Sequence, residues 1–321
     1  MNCTVSVIIP VYNGADFIAR AVDSALAQSH RPHEVIVVDD GSRDATRQVL
    51  APFGQRIRLL CIPNGGVAHA RNVGMQAASG DLIAFLDADD VWRPNKLALQ
   101  LAALRAHPHV GFCCCDFHVY SPRARALARH FSLCKGAAEL VFDQPLCAPF
   151  PILVKVNFVG TASNVLITRA LMQKVGLFNT AYRQAEDYEY WLRCAQFTHF
   201  ILLSPVLLEK TTHESNLTNN SLETFLCHEQ VLLALETKHA QAIARGACLP
   251  AALARIRYEI AHQFFIRGAT GRALRYYVAG LRSDWSLANA LTFTYLLGRK
   301  LLRFASMGLL RSRATAQAKS S

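Results

Sequence analysis

The amino-acid sequence predicts an α/β protein, a doubly wound and mostly parallel sheet followed by a C-terminal helical appendage. Short apolar strands alternate with helical spacings from residue 4 to residue 106, the pattern of strands joined by helical crossovers. Two of these strands run straight into acid: Val35-Ile36-Val37-Val38-Asp39-Asp40-Gly41-Ser42 and Phe85-Leu86-Asp87-Ala88-Asp89-Asp90. Continuous apolar runs belong to strands buried on both faces, and open α/β sheets bind ligands at the carboxyl ends of their strands. From about residue 220 onward the pattern turns helical, with Leu, Ala and Arg prominent.

Thr4–Ile9 reads as the first strand, stopped by Pro10. Phe17, Ile18, Ala21, Val22, Ala25 and Leu26 recur at three and four, so residues 15–28 read as a helix. Residues 34–38 form the second strand, and Gly41-Ser42-Arg43-Asp44 turns into another helix with Ser42 as its N-cap. Residues 57–62 make the third strand. Gly65-Gly66 opens a helix from about Val67 to Ala78, and residues 82–86 make the fourth strand. A further strand covers about 110–118. Residues 119–160, with Pro122, Pro145, Pro149 and Pro151, read as a long variable loop over the active edge. A strand at 163–168, a helix at 186–196 and a strand at 199–208 complete this part, and Gly268-Ala269-Thr270-Gly271 marks a turn between later helices.

The chain has 321 residues, 52% apolar and 18% charged, which suits one large globular α/β domain with an appendage and excludes a disordered chain. The expected division is a main domain over 1–218, with halves at about 1–106 and about 107–218, then a basic helical region over 219–321. The net charge of +11 is uneven: residues 1–236 carry 20 Lys+Arg against 21 Asp+Glu, and residues 237–321 carry 14 against 2. A tail of net +12 fits an anionic membrane surface better than nucleic acid, since no nucleic-acid motif accompanies it. Trp285, Leu287, Leu291, Phe293, Leu296, Leu301, Leu302, Phe304 and Met307 stand beside Arg299, Lys300 and Arg303, a mixture that suits a membrane interface or packing on protein. The longest uncharged stretch there, Trp285–Gly298, has 14 residues and is too short to span a bilayer. Ten cysteines include no Cys-x-x-Cys pair, so they read as small core residues. With no secretory signal at the start, a cytoplasmic location is expected, peripheral at the inner face of the cell membrane.

The acids carry the chemistry. Carboxylates crowded at a strand end repel one another unless a hard divalent cation sits between them, which suits an enzyme acting on a metal-bound phosphate ester. Val7-Ile8-Ile9-Pro10-Val11-Tyr12-Asn13, Val38-Asp39-Asp40-Gly41-Ser42, Gly66-Val67-Ala68-His69-Ala70-Arg71-Asn72-Val73-Gly74, Asp87-Ala88-Asp89-Asp90 and Glu186-Asp187-Tyr188-Glu189-Tyr190-Trp191-Leu192-Arg193 occur in that order. Together, over roughly residues 3–215, they resemble the family 2 glycosyltransferases, inverting enzymes of the GT-A fold.

That resemblance implies a metal-dependent hexosyltransferase using a nucleotide-sugar, a UDP-sugar above all, with a saccharide or lipid-linked saccharide acceptor in surface polysaccharide assembly. It implies that Asp40 accepts the imide N–H of the base, with Pro10 and Tyr12 lining the base pocket; the alternative is a solvated Asp-Asp-Gly-Ser turn. Gly66 would present backbone N–H groups to the diphosphate and Arg71 a charge-assisted contact, unless this is a plain helix start. Asn72 and Gly74 read as packing residues. Asp87-Ala88-Asp89 is a D-x-D motif that would hold Mn²⁺ or Mg²⁺, Asp89 directly and Asp87 on metal or ribose. Asp90 reads as the cap of the helix entered at Pro94. Asp187 is the implied general base and Glu186 the second choice, against two acids merely favouring a helix N-terminus. His213 falls where relatives place a histidine near metal or diphosphate, and a structural role is the alternative. Trp92 and Trp191 read as packing. Two other classes stay open: a sugar-phosphate nucleotidyltransferase, though no glycine-rich basic loop opens the chain, and a non-catalytic binding module.

Overall fold

A computed structural model describes residues 3–121, 126–134, 139–211, 221–238 and 249–285. Its contacts divide into two compact units, residues 1–249 and 250–321. The first is built on a ten-stranded sheet. β1 (Val5–Val11), β2 (Glu34–Asp39), β3 (Arg58–Cys61) and β4 (Leu82–Phe85) pair in the order β3-β2-β1-β4, all parallel. All seven residues of β1 are buried, as its mostly apolar sequence requires of a central strand covered on both faces, and the one hydroxyl, on Ser6, donates to Glu34.

α1 (Ile18–Leu26), α2 (Thr46–Leu50) and α3 (Val67–Ala77) are the crossovers. α1 buries Ile18, Ala21, Val22 and Ala25, the stripe expected from the sequence. α3 lies close on β1 because Gly74 has no side chain: a Cβ there would meet Ile8 Cγ2 at 2.4 Å. Ser42 is not the N-cap of α2. That helix starts four residues later, and Asp44 Oδ1 accepts the Thr46 N–H at 3.0 Å. Ser42 instead accepts from the Asn13 N–H at 2.9 Å, tying the end of β1 to the end of β2.

Beyond β4 the sheet becomes mixed. After β5 (Val91–Trp92) and α4 (Lys96–Ala106) come β6 (Phe112–Ser121), β9 (Leu166–Thr168) and β10 (Phe200–Lys210). β9 runs antiparallel to both β4 and β6, and β10 runs parallel to β6. β4, β6 and β10 therefore point the same way and end on one edge. The pairing of β10 with β6 shifts register around Pro205, a residue with no N–H to give to a ladder.

The stretch 119–160 is more structured than its prolines suggested. It holds β7 (Ala126–Arg129), α5 (His130–Leu133), β8 (Pro145–Leu146) and α6 (Pro149–Lys155). Pro149 sits at the start of α6, where a missing N–H costs nothing. Fully buried Asp116 fixes the near end, accepting from the backbone N–H of Phe131 and from Arg129 Nε. α7 (Arg169–Val175), α8 (Glu186–Cys194) and α9 (Ser221–Lys238) finish this unit, so that α9 belongs with the sheet. Cys113, Cys114, Cys115 and Cys194 are all buried and free, as expected of core thiols, whereas Cys61 and Cys147 are exposed.

α10 (Leu249–Ile266) leads into the second unit, where α11 (Thr270–Ser283) follows it as a hairpin. The predicted turn lies between them, with Gly268 at φ +79°. Gly280 lets the helices meet, since a Cβ there would lie 2.7 Å from the Tyr258 ring. Among the described residues no helix is long and apolar enough to cross a membrane. The expected interfacial residues from Leu287 onward lie outside the described residues.

Candidate active site

Three parallel strand ends supply the first half of the site. β1 pairs with β2 through Val11 and Asp39, so Tyr12 and Asp40 emerge next to each other. The Tyr12 ring is 49% exposed, available for stacking, whereas Pro10 is buried within the sheet. Asp40 is only 3% exposed. Its Oδ1 accepts the Gly65 N–H and its Oδ2 the Gly66 N–H, both at 2.8 Å, and the Asn64 side chain donates to Oδ2 at 3.2 Å. Gly41 turns the chain at φ +76°, and a Cβ on it would lie 2.9 Å from the Asn64 backbone nitrogen. The glycine N–H groups expected to face a diphosphate thus point at a carboxylate on the neighbouring strand.

The acid turn after β4 forms the second part. Asp87 and Asp89 are half-buried, and Asp90 is buried. The Asp90 N–H closes the turn on the Asp87 carbonyl at 3.1 Å, and Ser163 Oγ accepts the Asp87 N–H at 3.0 Å. Asp87 Oδ1 accepts from Arg71 at 2.7 Å and Oδ2 from Thr161 Oγ1 at 3.3 Å. Burial opposes ionisation of Asp87, but Arg71 and Lys210 hold its pKa below the ordinary carboxylate range. Asp90 does not cap a helix: α4 begins after Asn95 with no side-chain cap. Asp90 Oδ1 accepts the Thr211 N–H at 3.1 Å from the end of β10, and its buried Oδ2 has no hydrogen-bond partner among the described residues. Burial first, and then the charges of Asp87 and Asp89, push Asp90 up to about 8. A crowded set of hard oxygen donors with an orphaned buried oxygen fits a divalent cation. No group of three or more His, Cys, Asp or Glu poised for a metal occurs among the described residues. His213, the further ligand expected from the sequence, lies outside the described residues.

The third part is α8. Ala185 precedes it at φ +62°, a left-handed conformation that an alanine adopts only under constraint. Glu186 is buried and Asp187 half-buried, both in the first turn, where the helix dipole favours acids. Burial first, followed by the charge of Asp187, raises Glu186 to about 7, although Arg71 works against the rise. Arg71 donates to Glu186 Oε1 at 2.6 Å as well as to Asp87. It was expected to reach a diphosphate; with its side chain only 5% exposed, it faces inward and joins two acids 99 residues apart in sequence. Thr161, Ser163, Lys210 and Asn64 are the site residues that sequence reasoning missed. Gly160-Thr161-Ala162-Ser163-Asn164, a small polar run inside apolar flanks, was the available signal.

Trp92 and Trp191 are buried, as expected. Asn72 packs α3 to the chain beyond α7, donating to the Phe178 carbonyl and accepting its N–H.

Residues 6–145 match the model of Glycosyl transferase family 2. An uncharacterized glycosyltransferase of Rickettsia prowazekii is 32% identical over 220 residues, 68% of this chain and 67% of that protein. The UDP-Glc:alpha-D-GlcNAc-diphosphoundecaprenol beta-1,3-glucosyltransferase WfgD of Escherichia coli is 30% identical over 59% of this chain and 68% of its own. Among solved structures, Staphylococcus aureus TarS 1–349 in complex with UDP-GlcNAc superposes with a TM-score of 0.63 at 18% identity, covering 87% of this chain and 81% of that one. The mannosyltransferase PcManGT of Pyrobaculum calidifontis, in complex with GDP-Man and Mn²⁺, gives 0.59 at 20% identity, covering 94% and 81%. The fold and the ordered strand-end acids define a GT-A transferase. The chain belongs to glycosyltransferase family 2. It is a glycosyltransferase, and the nucleotidyltransferase and non-catalytic readings fall away.

Proposed function

We propose that the protein is an inverting glycosyltransferase that moves a sugar from a UDP-sugar to a saccharide, lipid-linked or free, in surface polysaccharide assembly. The observation that carries this reading is the convergence of the acid turn after β4 and the Glu186-Asp187 pair of α8 on one guanidinium, which supports reading the two as the donor-side and acceptor-side acids of one site. The donor and acceptor classes draw support from the names of WfgD and of the TarS complex.

In this reading Tyr12 stacks on the base and Asp40 accepts its imide N–H through a lone pair that the glycine N–H groups leave open, with Pro10 behind them. Gly66 shapes the loop beside the diphosphate. Asp89, with Asp87, would hold Mn²⁺ or Mg²⁺, and His213 is a further candidate ligand. When bound, such a cation neutralises charge on the departing nucleoside diphosphate. Asp187 takes the proton of the acceptor hydroxyl as that oxygen attacks the anomeric carbon from the face opposite the leaving group, which inverts the configuration. Glu186 shares the first turn with Asp187 and steadies it.

The catalytic domain is proposed over 1–218 and the basic region over 219–321, of which α9 groups with the sheet unit. For the latter we favour docking to an anionic membrane surface. On α11, exposed Leu274 and Val278 stand with Arg275 and Arg282, and Arg257 of α10 joins them around a cavity of about 460 Å³. Each basic residue at an anionic bilayer contributes about 1 kcal/mol.

The test is a panel of nucleotide sugars with Mn²⁺, read by calorimetry and by donor turnover, followed by Asp187→Asn. Transfer should collapse while donor affinity stays within about threefold, since a base acts in the transition state. Loss of donor binding together with rate would remove Asp187 from the role of base.

A further inference from the structure

Arg71 presents a problem of supply. One guanidinium serves two carboxylates on different elements, with Glu186 on one terminal nitrogen at 2.6 Å and Asp87 on the other at 2.7 Å. Each terminal nitrogen gives one N–H to a carboxylate, and Nε is buried with no partner among the described residues. Burial would weaken the charge, but Asp87, Glu186 and Asp187 overcome that and hold the guanidinium firmly protonated. The group is also fixed from behind. Its carbon lies 5.5 Å from the centre of the Phe178 ring, and the neighbouring Asn72 pins the Phe178 backbone with two hydrogen bonds. Phe178 in turn stacks on Tyr190 at 4.2 Å and meets Phe85 and Trp191 edge-on. β4, α3 and α8 therefore share one aromatic shelf with one cation on it.

We propose that Arg71 is a positioning residue, a rigid two-pronged spacer that sets the first turn of α8, and with it Asp187, relative to the acid turn after β4. This rests on the reading of Asp87 and Glu186-Asp187 as active-site residues. A buried fork fixes the separation and orientation of two carboxylates in a way that a point charge does not, because each prong has its own direction. Ala185, in its left-handed conformation just ahead of Glu186, needs such an anchor, since nothing in an alanine favours that backbone. The prong on Glu186 supplies it. Arg71 thus acts on the reaction through Asp187 and contacts no part of the donor.

The test compares wild type with Arg71→Lys, which keeps the charge and removes the fork, with Glu186→Gln, and with the two combined. On the full chain with UDP-sugar and Mn²⁺, Arg71→Lys should lower kcat about 10- to 100-fold, the scale of a misplaced reacting group, with the donor Kd within about threefold. Amide hydrogen exchange on the ligand-free protein should speed up at residues 187–190 and stay unchanged in β1 and β2. Adding Glu186→Gln should cost far less than it does in the wild-type background, because the anchor is already gone. A donor Kd that rises in step with the fall in kcat would overturn the proposal and make Arg71 a diphosphate ligand. Unchanged exchange at 187–190, or unchanged kcat, would also overturn it. A wild type that binds no nucleotide-sugar would count against the proposed function instead, and the exchange comparison would still decide the role of Arg71.

Discussion

Asp40→Asn separates two roles that the structure places on one carboxylate. Asp40 holds the Gly65-Gly66 loop by two backbone N–H bonds of 2.8 Å and a side-chain amide bond of 3.2 Å, and in the proposed function it also reads the base. Asparagine keeps one oxygen and turns an NH₂ group toward the other donors. It loses the charge assistance of both short bonds and sets donor against donor at one of them. Hydrogen bonds to a charged acceptor contribute about 1.5–3 kcal/mol each, and the exposure of Gly65 and Gly66 lets water replace part of that. The expected loss is about 2 kcal/mol, read as a lower urea midpoint at unchanged slope. UDP binding, measured by calorimetry in the same variant, should weaken as well. Stability within about 0.5 kcal/mol of wild type would refute the strap. If UDP binding fell at the same time, Asp40 would be a ligand with no structural duty.

Asp89→Asn should lower transfer at least about 100-fold, with EDTA abolishing wild-type turnover and Mn²⁺ restoring it; full activity of the variant in EDTA would dismiss the cation role. Gly74→Val should destabilise by about 2–3 kcal/mol or more in urea, because its Cβ would lie 2.4 Å from Ile8 Cγ2 on a central strand, and an unchanged midpoint would contradict the close packing of α3 on β1. His130, stacked on Phe117 at 4.3 Å and facing the Phe158 carbonyl, Cys134, Asp116 and Lys210, is pushed down to about 4 chiefly by burial. Between about pH 6.5 and 4 the unfolded chain takes up a proton that the folded one refuses, so stability is complete above that window and falls by about 3 kcal/mol as pH drops through it. His130→Gln should flatten this part of the stability curve.

The first half of the sheet was legible because its strands are mostly apolar. β1, β2 and β4 could be read from their Val, Ile, Leu and Phe content, and the ends of β2 and β4 from the acids that follow each. The order of the motifs brought the family with it. What a single sequence withheld was direction and partnership. β9 is three residues long and antiparallel to both neighbours, and nothing local distinguishes that from another parallel strand. Prolines at 149 and 151 marked a loop in the reading, whereas the first turn of a helix accepts them. Ser42 and Asp90 each stood before a helix with the right chemistry for a cap, and each was taken by a tertiary partner: Asn13 for one, Thr211 for the other. The partners of Arg71 were hidden for the same reason. Its place one turn into a helix suggested a ligand, and no local pattern shows that it reaches Asp87 and Glu186, 16 and 115 residues away.

These corrections share a direction. In each, a polar group assigned to an absent ligand or a helix end is spent on holding one strand end to another. Asp40 fixes the entry of α3, α3 carries Arg71, and Arg71 fixes both the turn of Asp87 and the entry of α8. Each of these bonds lies at the carboxyl edge, where loops of different lengths would otherwise drift independently, since the apolar core ends with the strands. A core of Val, Ile and Leu sets strand spacing but exerts no control over a side chain beyond the sheet; only directional contacts do that. The cost is that Asp90, crowded by Asp87 and Asp89, keeps a buried oxygen unpaired among the described residues. Left to stability alone, such a cluster of like charges would be replaced by neutral residues. Its presence beside a fully braced scaffold is the mark of an edge shaped for a charged substrate and its counter-ion.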